Sequence, residues 1–310
     1  MDASPDPDDP EFVYDEFGYF HENAAEHGLP WDGPPAVVRV DHELEGGRTV
    51  RALAWGEESP QIVFLHGGAQ NAHTWDTAIM ALGGVPALAI DLPGHGRSDP
   101  RDDGRYDPRT NAAAVAEVVE TLAPDAALVV GMSLGGLTAN SLAAARPELV
   151  RRLVVVDVTP GVDRDKAKEI HDFIAGPQDF PSFGEIFERT VQFNPTRTHE
   201  SLRRGILHNA HRTGTGSWEW NYDRRRLSDV DMPGFGDLWD DVASIRVPYL
   251  LLRGALSPVV DDADEAELRR RLPAARVTTV ADAGHSIQGD QPLVLAEILR
   301  GELGDASPQS

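Results

Sequence analysis

The rhythm of polar and apolar positions changes twice along the chain. Over residues 36–44 (AVVRVDHEL) and 49–56 (TVRALAWG) apolar residues alternate with polar ones, and Gly46 and Gly47 fall between the two runs. A period of two marks strands with one face in the core and one in water, so the pair predicts an antiparallel hairpin. From residue 61 the alternation gives way to unbroken apolar runs: QIVFLHG (61–67), VPALAIDL (85–92), ALVVGMS (127–133) and LVVVDV (153–158). Such runs suit strands covered on both faces, as in a parallel sheet. Helical segments separate them at 73–82, 110–123 and 137–150. Strand–helix–strand alternation implies right-handed crossovers and an open, doubly wound α/β sheet.

At residue 161 the alternation stops. DKAKEIHDFIA, SFGEIFERTV and ESLRRGILHNAHR read as amphipathic helices, and the aromatic stretch GSWEWNYDRRR follows. The sheet pattern resumes with VPYLLLRG (247–254), a helix DEAELRRRL, a strand at 276–282 and a last helix PLVLAEILRGEL. Residues 36–160 and 246–304 therefore form a sheet domain, 161–245 a helical insertion, 1–35 an acidic extension and 305–310 a tail. The Pro-rich, acidic start MDASPDPDDPEF is expected to be disordered. The aromatic-bearing residues after it are expected to form a short helix against the body.

Composition narrows the partners. The 310 residues are 41% hydrophobic and 25% charged, enough to bury a sizeable core. No apolar run approaches the ~20 residues of a membrane span. A formal net charge of −23 repels phosphate backbones and anionic lipid, which leaves a small molecule as the expected partner, with no nucleic acid and no membrane. The absence of cysteine excludes disulfides, thiolate metal sites and a cysteine nucleophile. The start lacks the basic and apolar regions of a secretory signal, so a cytoplasmic location is expected.

The chemistry concentrates in four short motifs. GMSLGG (131–136) fits G-x-S-x-G, follows an apolar strand and precedes an Ala-rich helix. A tight strand-to-helix turn there lifts Ser133 above the sheet edge and aims the Leu134 N–H from a helix start. LHGGAQNAHTW (65–75) turns sharply after the third strand and offers a second N–H, assigned to Gly68 with Ala69 as the near alternative. Such donors would form an oxyanion hole. His66 is expected to brace that loop, and Asp91 and Arg97 to brace DLPGHGRSD (91–99). ADAGHSIQGDQP (281–292) places His285 after the last strand, with an imidazole whose ordinary pKa of about 6.5 suits a general base. His208 and His211 form an H-x-x-H without an evident third ligand, so neither a metal nor a cofactor is expected.

The order HGG, DLPGHGRS, GMSLGG, AGHS resembles that of the α/β-hydrolase superfamily over residues 36–304. The resemblance implies a mostly parallel eight-stranded sheet, a Ser–His–acid triad, and a helical cap at 161–245 with a pocket beneath it. Trp218, Trp220 and Tyr222, with Phe173, Phe187 and Phe193, are available to line that pocket. The acid is the difficulty. Its usual place, after the strand at 247–254, holds Ser257. Asp261 and Asp262 lie just beyond, where a helix start accounts for them as N-cap and first-turn charge. Some members carry the acid after the sixth strand, about two dozen residues past the nucleophile, and Asp157 stands 24 residues after Ser133. The expected triad is Ser133, His285 and Asp157, with Asp261 or Asp262 as the alternative acid.

A serine nucleophile implies acyl transfer, and the expected reaction is hydrolysis of a carboxylic ester, lactone or related acyl bond of a small to medium apolar substrate. A carbon–carbon bond hydrolase, a perhydrolase-type haloperoxidase and an acyltransferase use the same triad. A non-catalytic ligand-binding protein of the same fold is the rival class.

Overall fold

The apolar runs become strands of one sheet. A computed structural model describes residues 6–223 and 235–304. Its strands are β1 (Val37–Glu43), β2 (Thr49–Trp55), β3 (Ile62–Leu65), β4 (Ala87–Ile90), β5 (Leu128–Met132), β6 (Leu153–Val156), β7 (Asp179–Phe180), β8 (Ala210–Arg212), β9 (Trp218–Trp220), β10 (Tyr249–Gly254) and β11 (Arg276–Val280). Eight of them form the main sheet in the order β1-β2-β4-β3-β5-β6-β10-β11. β1 and β2 pair antiparallel, β2 meets β4 antiparallel, and every other neighbour pair is parallel. The period-two strands lie at the partly wet edge, and the unbroken runs of β3 to β6 are fully buried.

The helices are α1 (Phe20–His27), α2 (Asp76–Ala81), α3 (Pro108–Leu122), α4 (Leu134–Ala145), α5 (Lys168–Ile174), α6 (Phe183–Phe193), α7 (His199–Asn209), α8 (Leu238–Ser244), α9 (Asp262–Arg271), α10 (Ile287–Asp290) and α11 (Pro292–Gly304). α3, α4, α8 and α9 cover one face of the sheet, and α1, α2 and α11 cover the other. Their starts are chemically marked. Asp107 caps α3, Ser182 caps α6, Thr198 caps α7, and each accepts a backbone N–H with its side chain. No helix of the described residues is long and apolar enough to cross a membrane.

Two expectations change. The segment 161–245 is not wholly helical: β7, β9 and β8 form a three-stranded antiparallel sheet. Trp218-Glu219-Trp220 alternates buried and half-buried, so the aromatic stretch is a strand, and its three-residue length is too short for periodicity to reveal. The chain start also packs from residue 6 onward, while residues 1–5, 224–234 and 305–310, which include the first residues of the acidic start and Arg224 to Arg226, lie outside the described residues. The Asp8 carboxylate accepts the Phe183 N–H at 2.9 Å and Trp218 Nε1–H at 2.8 Å. Phe20 packs edge-on against Trp55, with ring centroids 5.1 Å apart. Acidic composition argued for disorder, but it left out donors that lie about two hundred residues further along the chain.

Polar contacts continue the clamp inward. Glu16 pairs with Arg39, and Arg39 Nη1 reaches Asp91 at 2.9 Å. His73 donates from Nδ1 to Asp76 at 2.8 Å and from Nε2 to Glu16 at 3.2 Å. Burial would lower the His73 pKa, but the two carboxylates prevail and raise it to about 9.

Candidate active site

β5 ends at Met132, and the chain turns into α4 through Ser133 at φ 52°, ψ −120°. That conformation costs a non-glycine residue about 1–3 kcal/mol and persists only where the surroundings enforce it. They do so by closeness. A Cβ on Gly131 would lie 2.3 Å from Gly135 O, and one on Gly135 would lie 2.2 Å from Leu65 O. Strand and helix backbones touch, which holds the serine on the outside of the turn. The Leu134 N–H is the first of the helix, where backbone donors have no intrahelical partner.

Next to β5, strand β6 ends in Asp157, fully buried and also at positive φ (50°). Three donors converge on its carboxylate. The Gly254 N–H reaches Oδ1 at 2.8 Å, the Ser257 hydroxyl reaches Oδ2, and His285 Nδ1 reaches Oδ2 at 2.9 Å. A buried charge is tolerable when its lone pairs are filled in this way. With the proton on Nδ1, the His285 Nε2 is left as an acceptor. That nitrogen is buried and has no hydrogen-bond partner among the described residues. The loop carrying His285 is held by Asp290, whose Oδ2 accepts the Gly284 N–H at 2.8 Å.

Asp261 and Asp262 do not approach the imidazole. Asp261 caps α9 in a capping box with Asp264 and pairs with Lys166 at 3.0 Å. Asp262 is 98% exposed and pairs with Arg253 at 3.1 Å. The position that looked vacated, Ser257, is in contact with the acid on the neighbouring strand.

The loop 66–70 packs against the elbow. A Cβ on Gly67 would lie 2.6 Å from Met132 Sδ. Gln70 Oε1 accepts the Gly67 N–H at 3.1 Å, and Asn209 Nδ2 from α7 donates to Ala69 O at 2.7 Å. His66 accepts the Leu92 N–H at its Nε2, 2.9 Å away, and its Nδ1–H donates to Gly67 O at 2.7 Å. Burial pushes its pKa down to about 3, so it braces the loop as a neutral ring. Asp91 accepts the Ala72 N–H at 2.7 Å and the Arg97 N–H at 2.9 Å, tying this loop to the next.

Ser133, Gly68 and His285 line one cavity of about 360 Å³ between the sheet edge and the inserted segment. Its apolar wall comes from Ile170, Phe173, Ile174, Phe193, Leu256 and Val259. Trp218, Trp220 and Tyr222 do not form this wall. They are buried in the inserted segment's own core, where Trp218 packs on Phe183 and Trp220 stacks on Tyr222. Phe187 belongs to the same packing. Of the wall residues not anticipated, Ile170 and Ile174 sit on α5, and Leu256 and Val259 follow β10.

His208 and His211 point apart. His208 bonds the Tyr14 hydroxyl at 2.6 Å and stacks on His73 at 3.9 Å, while the exposed His211 bonds Asn221 at 2.7 Å. His73, Asp76 and His208 bring three ligand-type atoms within 4.8 Å of one another; His73 bonds Asp76 and Glu16 there, and His208 bonds Tyr14.

The profile of a family described as "Alpha/beta hydrolase family" matches residues 62–298. The chain is 48% identical over 297 residues to "Esterase Rv0045c" of Mycobacterium tuberculosis, covering 93% of this chain and 96% of that protein. A crystal structure of that esterase superposes with a TM-score of 0.81 at 47% identity, over 94% of this chain and 99% of the other. The mouse "sn-1-specific diacylglycerol lipase ABHD11" is 31% identical over 247 residues, covering 75% of this chain and 77% of that one.

Proposed function

The chain belongs to the alpha/beta hydrolase family, and we propose that it hydrolyses carboxylic esters through an acyl-enzyme on Ser133, with His285 as base and Asp157 as the triad acid. One arrangement carries the reading: a strained serine and an imidazole share a cavity, and the imidazole donates from Nδ1 to a buried carboxylate at 2.9 Å while its Nε2 has no partner among the described residues. The esterase and lipase named above act on esters, which agrees with this chemistry.

In this reading the Ser133 hydroxyl attacks the ester carbonyl as His285 Nε2 takes its proton. The oxyanion is held by the N–H groups of Gly68 and Leu134. Collapse of the tetrahedral intermediate expels the alcohol, which receives the proton from His285. Water, activated by the same nitrogen, then releases the acid. Asp157 stabilises the imidazolium formed in each half-reaction and holds its tautomer. Residues 161–223 of the inserted segment serve as the cap, while α8 packs on the main sheet; α5 and the end of α6 set the acyl group that fits.

A fluorophosphonate probe tests the assignment directly. Peptide mass spectrometry should find the label on Ser133, and Ser133→Ala should abolish both labelling and turnover of p-nitrophenyl butyrate. Unlabelled Ser133 in active wild-type protein would sink the reading. A cavity of about 360 Å³ should also favour p-nitrophenyl butyrate over the palmitate ester.

A further inference from the structure

Most guanidinium groups near the functional edge are matched by acids. Arg39 is paired with Glu16 and Asp91, Arg204 with Glu22 and Glu26, and Arg253 with Asp262 and Glu265. The other cation in the site cavity, Lys166, is held by Asp261 and Asp264. Arg197 differs. It lines the same cavity as Ser133 and His285, yet no carboxylate of the described residues lies within the 4.0 Å of an ion pair. Its Nη2 donates to a neutral partner, Ser201 Oγ, at 2.5 Å, and its buried Nε has no hydrogen-bond partner among the described residues.

The acids whose fields reach Arg197 are occupied. Glu26 receives Thr198 and Arg204, and Asp290 receives the Gly284 N–H at 2.8 Å and Thr196 Oγ1 at 3.4 Å. Burial pushes the Arg197 guanidinium down from its ordinary value, as befits a cation short of counter-charge. The group rests on α10, just after His285: a Cβ on Gly289 would lie 3.0 Å from Arg197 Cζ. It also stands where the site cavity meets a second one of about 150 Å³, the two sharing Ala69, Gln70, Phe173, Asn194 and Arg197.

We propose that Arg197 is a carboxylate receptor in the substrate cavity, so that the preferred substrate is an ester bearing a free carboxylate remote from the scissile bond. An apolar spacer would lie along Phe173 and Ile174, and the anion would supply the charge that the protein withholds from Arg197. Charge-assisted hydrogen bonds from a partly desolvated guanidinium are strong and suit the planar carboxylate. The proposal rests on Ser133 being the nucleophile.

The test compares kcat/KM for monomethyl glutarate with methyl butyrate, and for 4-acetoxybutyrate with butyl acetate. The first pair carries the carboxylate on the acyl side and the second on the alcohol side. Wild-type protein should favour the carboxylate in one pair by about tenfold or more, and Arg197→Gln should cut that ratio by about tenfold while Arg197→Lys keeps part of it. No preference in either pair, or a ratio unmoved by Arg197→Gln, overturns the proposal. A second measurement uses only the wild type. Glutarate should protect Ser133 from the fluorophosphonate at concentrations where glutaramide does not, and equal protection overturns the proposal. If Ser133 is labelled and neutral esters are cleaved without a carboxylate preference, the receptor fails and the hydrolase stands. If Ser133 is never labelled, the hydrolase reading itself fails.

Discussion

Among the described residues, two aspartates with buried side chains each accept a hydrogen bond from a histidine Nδ1, and the two pairs look alike at that end. His285 donates from Nδ1 to Asp157 at 2.9 Å, and His73 donates from Nδ1 to Asp76 at 2.8 Å. The other ring nitrogen separates them. His73 Nε2 meets a second carboxylate, Glu16, at 3.2 Å, so the ring is clamped as an imidazolium between two anions. His285 Nε2 meets no partner among the described residues and shares a cavity with Ser133. A base needs an available lone pair as well as an orienting acid. The first pair has the lone pair; the second has given it up to hold the chain start against the body.

The comparison can be broken most severely at Asp157. Asp157→Asn should lower kcat by about 10⁴-fold, because the amide no longer enforces the tautomer or stabilises the imidazolium. Circular dichroism should show the fold retained. Turnover near the wild-type rate would mean that His285 does not work through this acid.

At the other pair the effect should fall on stability. His73→Gln removes the imidazolium between Asp76 and Glu16; Glu16 keeps Arg39, but the buried Asp76 loses its hydrogen-bonded cation, which should cost about 3–5 kcal/mol in denaturant unfolding. Turnover at a temperature where the variant is folded should stay within about tenfold, since His73 is absent from the wall of the Ser133 cavity. The pH dependence follows from sign. His73 is raised to about 9 in the folded protein from an ordinary 6.5, so its stabilisation is complete below about pH 6.5 and is lost as pH rises through 9. Melting temperature should decline over that window in the wild type, and the decline should be absent in His73→Gln.

A smaller effect is expected at Ser257, whose hydroxyl donates to Asp157. Ser257→Ala should lower kcat/KM by about tenfold, the worth of one hydrogen bond to a charged group. The loss should appear in kcat, not KM, if the serine acts by positioning the acid. The smallest effect belongs to the helix start. Asp261→Ala should cost about 1 kcal/mol of stability through the lost N-cap. Asp261→Asn and Asp262→Asn should leave turnover within about twofold, as neither side chain touches the imidazole. A collapse of activity in either would reassign the acid.

Much of this was legible in local order. The β3 to β6 runs declared strands buried on both faces, and α3, α6 and α7 each began with a residue able to cap it. Elsewhere short pieces hid their nature. Three residues of β9 cannot show a period, so Trp218 and Trp220 passed for a pocket wall when they are the inserted segment's core. The acidic start looked unable to order itself because its partners, Phe183 and Trp218, are remote along the chain.

By itself the sequence determined the sheet, the elbow glycines and the candidates for nucleophile, base and acid, because strand burial and turn geometry depend on residues within a few positions of each other. Only the tertiary structure decided which of Asp157, Asp261 and Asp262 meets His285, what Ser257 does beside Asp157, and that Arg197 of the site cavity has no acid within ion-pair distance among the described residues. Those outcomes depend on distances of about 3 Å between side chains a hundred residues apart, and on which lone pairs burial leaves unfilled.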